Sequence, residues 1–235
     1  MIQPLERTEL TTPARCALKA KSLRTACAAL LAFGLMSVMG SCVQAQGAEP
    51  GLEEPFSYPA SLLRARSTYT VSPATPVLLG STVVVLEQSR LTDVAAIAHA
   101  PVHVEGSGRS ARRWVCAQAQ GATHPVKLWF IATGQETVTE VQMRPGMFAE
   151  TAGCGELTNH FEPVTLSRIA SGMTVDSVVR DIGPASARDA RGWHFWVSRR
   201  SYEYYEQKFT EYVWVGALAD EKGVISDVFT TQITR

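Results

Sequence analysis

The chain has 235 residues and a formal net charge of zero, but the balance is uneven along it. Residues 1–45 hold five basic and two acidic side chains, which leaves 17 basic and 20 acidic groups in the remainder. That slightly acidic remainder lacks the footprint of a nucleic-acid binder, so nucleic acid is excluded from the expected partners.

The first element is a targeting signal. Arg15, Lys19, Lys21 and Arg24 precede "TACAALLAFGLMSVMG", a mostly apolar run. It is shorter than the ~20 residues that span a bilayer, and small residues follow it. Two processing schemes fit. Cleavage after "VQA" makes residues 1–45 a signal peptide. Alternatively "MGSC" acts as a lipobox, residues 1–41 are a lipoprotein signal, and Cys42 is lipidated. Both schemes predict export in a bacterium, to the periplasm or, lipid-anchored, to the outer membrane. Membrane contact is expected only through such an anchor. Once Cys16, Cys27 and Cys42 are removed or lipidated, Cys116 and Cys154 remain, and an even pair in an oxidising compartment reads as one disulfide. No Cys/His set has metal-ligand spacing, so no metal is expected.

Residues 46–77 contain prolines 50, 55, 59, 73 and 76. Proline cannot propagate a helix or a central strand, so this segment reads as a linker. Residues 78–150 form a first unit. Thr92 caps a helix carrying Val94, Ile97 and Ala98, and Pro101 ends it. "VHVEGSGRSARR" is a loop, and "WVCAQAQ", "VKLWFIAT" and "TVTEVQMR" are three strands. Residues 151–164 are a second linker.

Residues 165–235 repeat the outline more clearly. "TLSRIASG" reads as a helical turn or two. Thr174 then caps a helix whose Val175, Val178, Val179 and Ile182 share one face, with Asp176 at its positive end. Gly183 takes the left-handed position after it and Pro184 prevents continuation. "WHFWVSRR", "EYVWVGALA" and "GVISDVFTTQI" are three strands, the last two joined by the turn "DEKG". Asp93 and Pro101 lie 83 residues before Asp176 and Pro184. The shared order predicts an α+β fold of two tandem two-layer units, each with a short helix or helices packed on a three-stranded antiparallel β-meander.

"RIASGMTVDSVVRDIGPAS", "GWHFWV" and "VWVGALADEKGVI" together resemble the SmpA/OmlA (BamE) family of outer-membrane lipoproteins over roughly residues 165–235. The features that carry the resemblance are Ile169, Gly172-Met173-Thr174, Val179, Gly183-Pro184, Trp193 with Phe195, and Gly223. It implies two helices on a three-stranded sheet, and a protein that binds other components during assembly of outer-membrane barrels without catalysing a reaction. The first half departs from the pattern: it lacks Gly-Met-Thr, and Ala100 stands where the glycine precedes proline. A tandem pair also resembles the architecture of beta-lactamase inhibitory protein, which implies an inhibitor.

No catalytic constellation is evident. "GSGRS" at residues 106–110 lacks a Walker lysine and precedes a strand. His99 and His103 are separated by Pro101, and His124, His160 and His194 have no partner at ligand spacing. An enzyme is therefore not expected, nor is a cofactor. The aromatic surplus between Trp193 and Trp214 is the notable feature. Alternation is read as placing Trp193 and Phe195 against the helices, with Val213, Val215 and Ala217. That leaves Trp196, His194, Arg200, Tyr212 and Trp214 on the outer face, a protein-binding composition unless the first unit covers it. The expected partners are other envelope proteins, or a target enzyme if the chain is an inhibitor.

Overall fold

Hydrophobic alternation and turn chemistry place most of the long strands within a few residues of where they form. The computed structural model describes residues 53–79, 81–146, 153–157 and 163–235. Strands β1 (Val77–Leu79) and β2 (Thr82–Val84) pair as a small hairpin, followed by helix α1 (Leu91–Ala98). Then come β3 (His103–Glu105), β4 (Arg112–Gln120), β5 (Pro125–Thr133), β6 (Glu140–Pro145) and β7 (Cys154–Glu156). Helix α2 (Val175–Ile182) leads into β8 (Ala187–Arg188), β9 (Trp193–Tyr204), β10 (Gln207–Ala219) and β11 (Ile225–Thr234).

The helices show how local chemistry sets the boundaries. In α2 the Thr174 hydroxyl accepts the Ser177 N–H at 3.3 Å, and Val175 and Val178 are buried. Gly183 follows at φ 112°, ψ 179°, a backbone region open to glycine but different from the left-handed helical value expected. α1 departs further from expectation. Its N-cap is Arg90, so Thr92 lies inside the helix. The stop comes at His99, which adopts φ 49°, ψ 38° before Pro101 is reached. "TLSRIASG" forms no helix. Leu166 and Ile169 exchange backbone hydrogen bonds across Ser167 and Arg168, both at positive φ, which makes a tight reversal.

The predicted fold class is corrected by the sheet. Strands run in the order β3-β4-β5-β6-β11-β10-β9-β8, with β7 parallel to β4, giving one nine-stranded sheet. The two meanders meet at their last strands, where Met143, Gln142, Val141 and Glu140 pair antiparallel with Val228, Phe229, Thr230 and Thr231. A three-stranded meander standing alone leaves the N–H and C=O groups of its outer strands unpaired. Joining β6 to β11 satisfies one edge of each, so the halves share a sheet and a core instead of forming two two-layer units.

One face of the sheet carries the helices. Val115, Leu128, Phe130, Val141, Trp196, Val213, Val215 and Val228 lie there with Val94, Ala98 and Val178 in a single buried cluster. The other face carries Trp114, Trp129, Trp193, Phe195, Trp214 and Phe229. It is covered by residues 53–69, part of the segment read as a linker. Phe56 is buried against Trp129 and Trp193, and Tyr58 stacks on Phe229 at 3.8 Å. A 3-10 turn, Ala60–Arg64, brings Leu62 and Leu63 onto the same face. The prolines do exclude regular structure over most of this strap, but aromatic side chains dock it all the same. Its backbone serves as acceptor: Glu53, Phe56 and Leu63 carbonyls receive Trp129 Nε1, Gln142 Nε2 and Trp214 Nε1 at 3.1, 3.0 and 3.0 Å.

Candidate binding surface

β9 and β10 are longer than their neighbours, and the surplus makes a projecting ribbon. Thr234 pairs with Glu211, and Arg235 exchanges both backbone hydrogen bonds with Thr210; beyond that point the hairpin has no third strand among the described residues. Tyr204 pairs with Gln207 across a two-residue turn, Tyr205-Glu206, at φ 47° and 63°. These are the signs of a type I′ turn, usually supplied by Asn-Gly or another glycine pair. One face of the ribbon is aromatic: Tyr202 stacks on Phe209 at 5.7 Å, and the Arg200 guanidinium lies 5.4 Å from the Tyr202 ring. Arg200 also pairs with Glu211 at 3.1 Å. The opposite face is polar, with Ser201 and Thr210 hydroxyls 3.2 Å apart. At the tip the Tyr204 and Tyr205 rings meet edge to face at 4.4 Å, and Tyr205 is 83% exposed.

A groove of about 660 Å³ lies at the base of the ribbon's polar face. One wall is the strap from Leu63 to Thr70; the floor is Val197, Arg199, Tyr212 and Trp214; Arg235 closes one side. The strap is held here by Thr68 and Tyr69 N–H groups donating to the Val197 carbonyl, while Arg199 N–H donates to the Tyr69 carbonyl. Tyr212 and Trp214 are stacked at 5.7 Å and 13°, and the Arg199 guanidinium sits 5.6 Å from the Tyr212 ring. Arg64, Arg66, Arg199 and Arg235 all line the groove, and no Asp or Glu does.

The five residues expected to share an outer face are separated. Trp196, His194 and Arg200 belong to the helix side, while Tyr212 and Trp214 belong to the strap side. Trp196 is fully buried, its Nε1 donating to the Gly183 carbonyl at 2.8 Å. Trp193 and Phe195, expected against the helices, lie under the strap. Register explains the inversion. Val215 pairs with Trp196, Val213 with Ser198 and Ala217 with His194, and directly opposed residues share a face. Once β10 is oriented by its valines, β9 has no freedom. His194 is half-buried beside Trp196, and its pKa is lowered by burial and by Arg188, with Asp189 opposing. Among the five, Tyr212 and Trp214 border the groove.

Cys116 and Cys154 form a disulfide, with Cα atoms 4.5 Å apart, and it ties β7 to β4. Cys42 and the segment expected to be a targeting signal lie outside the described residues. Among the described residues no helix is long and apolar enough to cross a membrane, and no group of three metal-ligating side chains occurs.

One buried polar cluster sits under the strap. The Tyr58 hydroxyl donates to Glu140 Oε2 at 2.9 Å, and Gln142 Nε2 donates to Glu140 Oε1 at 2.5 Å. Burial raises the pKa of the Glu140 carboxyl, against the lowering effect of these hydrogen bonds and of Arg112. Burial and the Glu140 charge push the Tyr58 phenol far above its ordinary value. The cluster pins the strap to the β6–β11 seam.

The ribbon tip and the arginine groove were not legible in the sequence. Tyr205-Glu206 has no turn residue, and Arg64 and Arg66 lie in the segment read as linker. No family model, curated protein or solved structure matches the chain, so the resemblance to the SmpA/OmlA (BamE) family rests on the residues quoted for it.

Proposed function

We propose that this chain is an exported, non-catalytic protein that binds another protein, and that the β9–β10 ribbon makes the contact. The observation that carries the reading is the projecting, stacked aromatic surface of Tyr202, Tyr204, Tyr205 and Phe209. Clustered tyrosines beside an arginine are the composition of interface hot spots. The turn supports the same reading. A left-handed conformation costs a non-glycine residue about 1–2 kcal/mol. Keeping Tyr205 and Glu206 there favours a role for their side chains at the tip.

Export is supported by the apolar leader and by the disulfide, a bond that persists mainly in oxidising compartments. The partner in this reading is another cell-envelope protein, such as a component of outer-membrane protein assembly. A second reading, inhibition of an enzyme, is favoured by the narrow tip, whose shape suits a cleft. The test is a photoreactive phenylalanine analogue at position 205, with position 102 as an exposed control far along the chain. Protein adducts specific to position 205 are expected in cells that express the protein. Equal adducts at both positions, or none at 205, would sink the reading. An adduct that proves to be an enzyme, inhibited by the purified chain, selects the second form of it.

A further inference from the structure

We infer that the arginine groove at the base of the ribbon binds an extended acidic segment of the protein partner, an inference that rests on the ribbon being a protein-binding site. The argument begins with charge. Arg64, Arg66, Arg199 and Arg235 line one groove with no Asp or Glu side chain among its lining residues. Elsewhere Arg90, Lys127, Arg144 and Arg200 are neutralised by Glu136, Glu53, Asp227 and Glu211. None of the four groove arginines has an ion pair among the described residues. Like charges gathered in a concave surface raise its potential and attract an anion.

The arrangement then selects the kind of anion. The guanidinium groups arise from different walls: two from the strap, one from β9 and one from the end of β11. They come from separate segments of the chain and not from one backbone loop that cradles a phosphate. Separate charges along an open groove match carboxylates repeated along an extended chain. Arginine's planar fork receives a carboxylate through two parallel N–H bonds. The exposed Thr70 side chain adds a neutral hydrogen-bonding group along the strap wall, where the Ser67 hydroxyl donates to the Tyr69 carbonyl and the Thr68 hydroxyl bonds that of Ser186. The floor adds apolar contact, because Trp214 is fixed by its bond to the Leu63 carbonyl and Tyr212 stacks on it. Arginine with Trp and Tyr is the set that dominates protein interfaces. Arg199 and Tyr212 belong to the strands that continue into the ribbon, so one partner can meet both surfaces.

The experiment measures fluorescence anisotropy of a labelled (Glu-Ser)4 peptide with the purified, disulfide-bonded mature chain. Saturable binding that weakens at high salt is expected, with no binding of the labelled (Gln-Ser)4 peptide. Replacing two of the four exposed arginines together, Arg64→Gln with Arg199→Gln, should weaken binding about tenfold, since exposed charge contacts contribute a few-fold each. An unchanged thermal melt shows that these variants still fold, and Arg113→Gln, on an exposed arginine of β4, serves as the charge-matched control. Equal loss in the control means non-specific attraction and overturns the inference. Full competition by inorganic phosphate, or by vesicles containing an anionic lipid, overturns it in favour of a phosphate or lipid headgroup site. The two readings fail separately. Peptide binding without adducts at position 205 leaves the groove and removes the ribbon; adducts without peptide binding do the reverse.

Discussion

Glu140 shows what a single carboxylate does when a strap closes over it. Its oxygens are occupied by Tyr58 and Gln142, and burial still raises its pKa above the usual value near 4.3. The folded chain therefore takes up this proton at a higher pH than the unfolded chain. The group's contribution to stability is fully present below the unfolded value and is lost as pH rises through the folded one. Glu140→Gln removes that dependence. The melting temperature of the variant minus that of the native chain should grow more positive from about pH 4 towards neutrality. A flat or opposite difference would show that the carboxyl is not held in this way. Trp196 makes the companion lesson at this scale. Its alternation is legible in the sequence, but its facing is not, because facing depends on register with β10. That register is fixed by a turn, Tyr205-Glu206, which carries no glycine, asparagine or proline to announce it.

Among the elements, the ribbon carries the sharpest trade-off. Tyr205→Asn combined with Glu206→Gly would supply the residues that a type I′ turn favours. The double variant should raise stability by about 1 kcal/mol, the relief of left-handed strain. It should also weaken partner capture through the ribbon, because it deletes the exposed tip ring. Chemical denaturation reads the first effect and crosslinking from position 204 the second; a less stable variant would show that the turn is not strained. The strap is the element that sequence reading handles least well. Its prolines do forbid helix and central strand, and composition then suggests a linker. The contrary signal is Phe56 and Tyr58 within "EEPFSYPAS", since two aromatic rings in nine residues have little place in a solvated tether. The six long strands were legible because each is a run rich in apolar, aromatic and β-branched residues bounded by polar or turn-forming segments. The short segment "TLSRIASG" was not, because positive φ at Ser167 and Arg168 is a tertiary outcome with no glycine to mark it.

For the whole molecule, the seam between β6 and β11 decides the thermodynamics. Sequence periodicity finds the repeated order of elements but carries no information on which edges meet. Two separate units would melt independently. A shared sheet, with one apolar cluster spanning both halves, should melt in one calorimetric transition whose van't Hoff and calorimetric enthalpies agree. Residues 78–150 and 165–235 expressed separately should not fold, because each would expose its half of the seam. The disulfide joins elements of the first half, yet cooperativity spreads its effect. Closing the 38-residue separation contributes about 4 kcal/mol in the chain-entropy description, so reductant should lower the single transition without splitting it. Two resolved transitions would contradict the shared core.

The strap has a consequence for how the chain is made. Its residues, 53–69, leave the ribosome or a translocation channel before every strand they cover, and their partners include Trp193, Trp214 and Phe229 near the other end. Strand β6 likewise waits for β11, the last strand to emerge. Neither face of the first half can be completed while the second is still in transit. The seam and the docking of the strap can therefore form only once β11 has appeared, and until then the edge of β6 and the aromatic face of the first half stay uncovered, the kind of surface that invites association between chains.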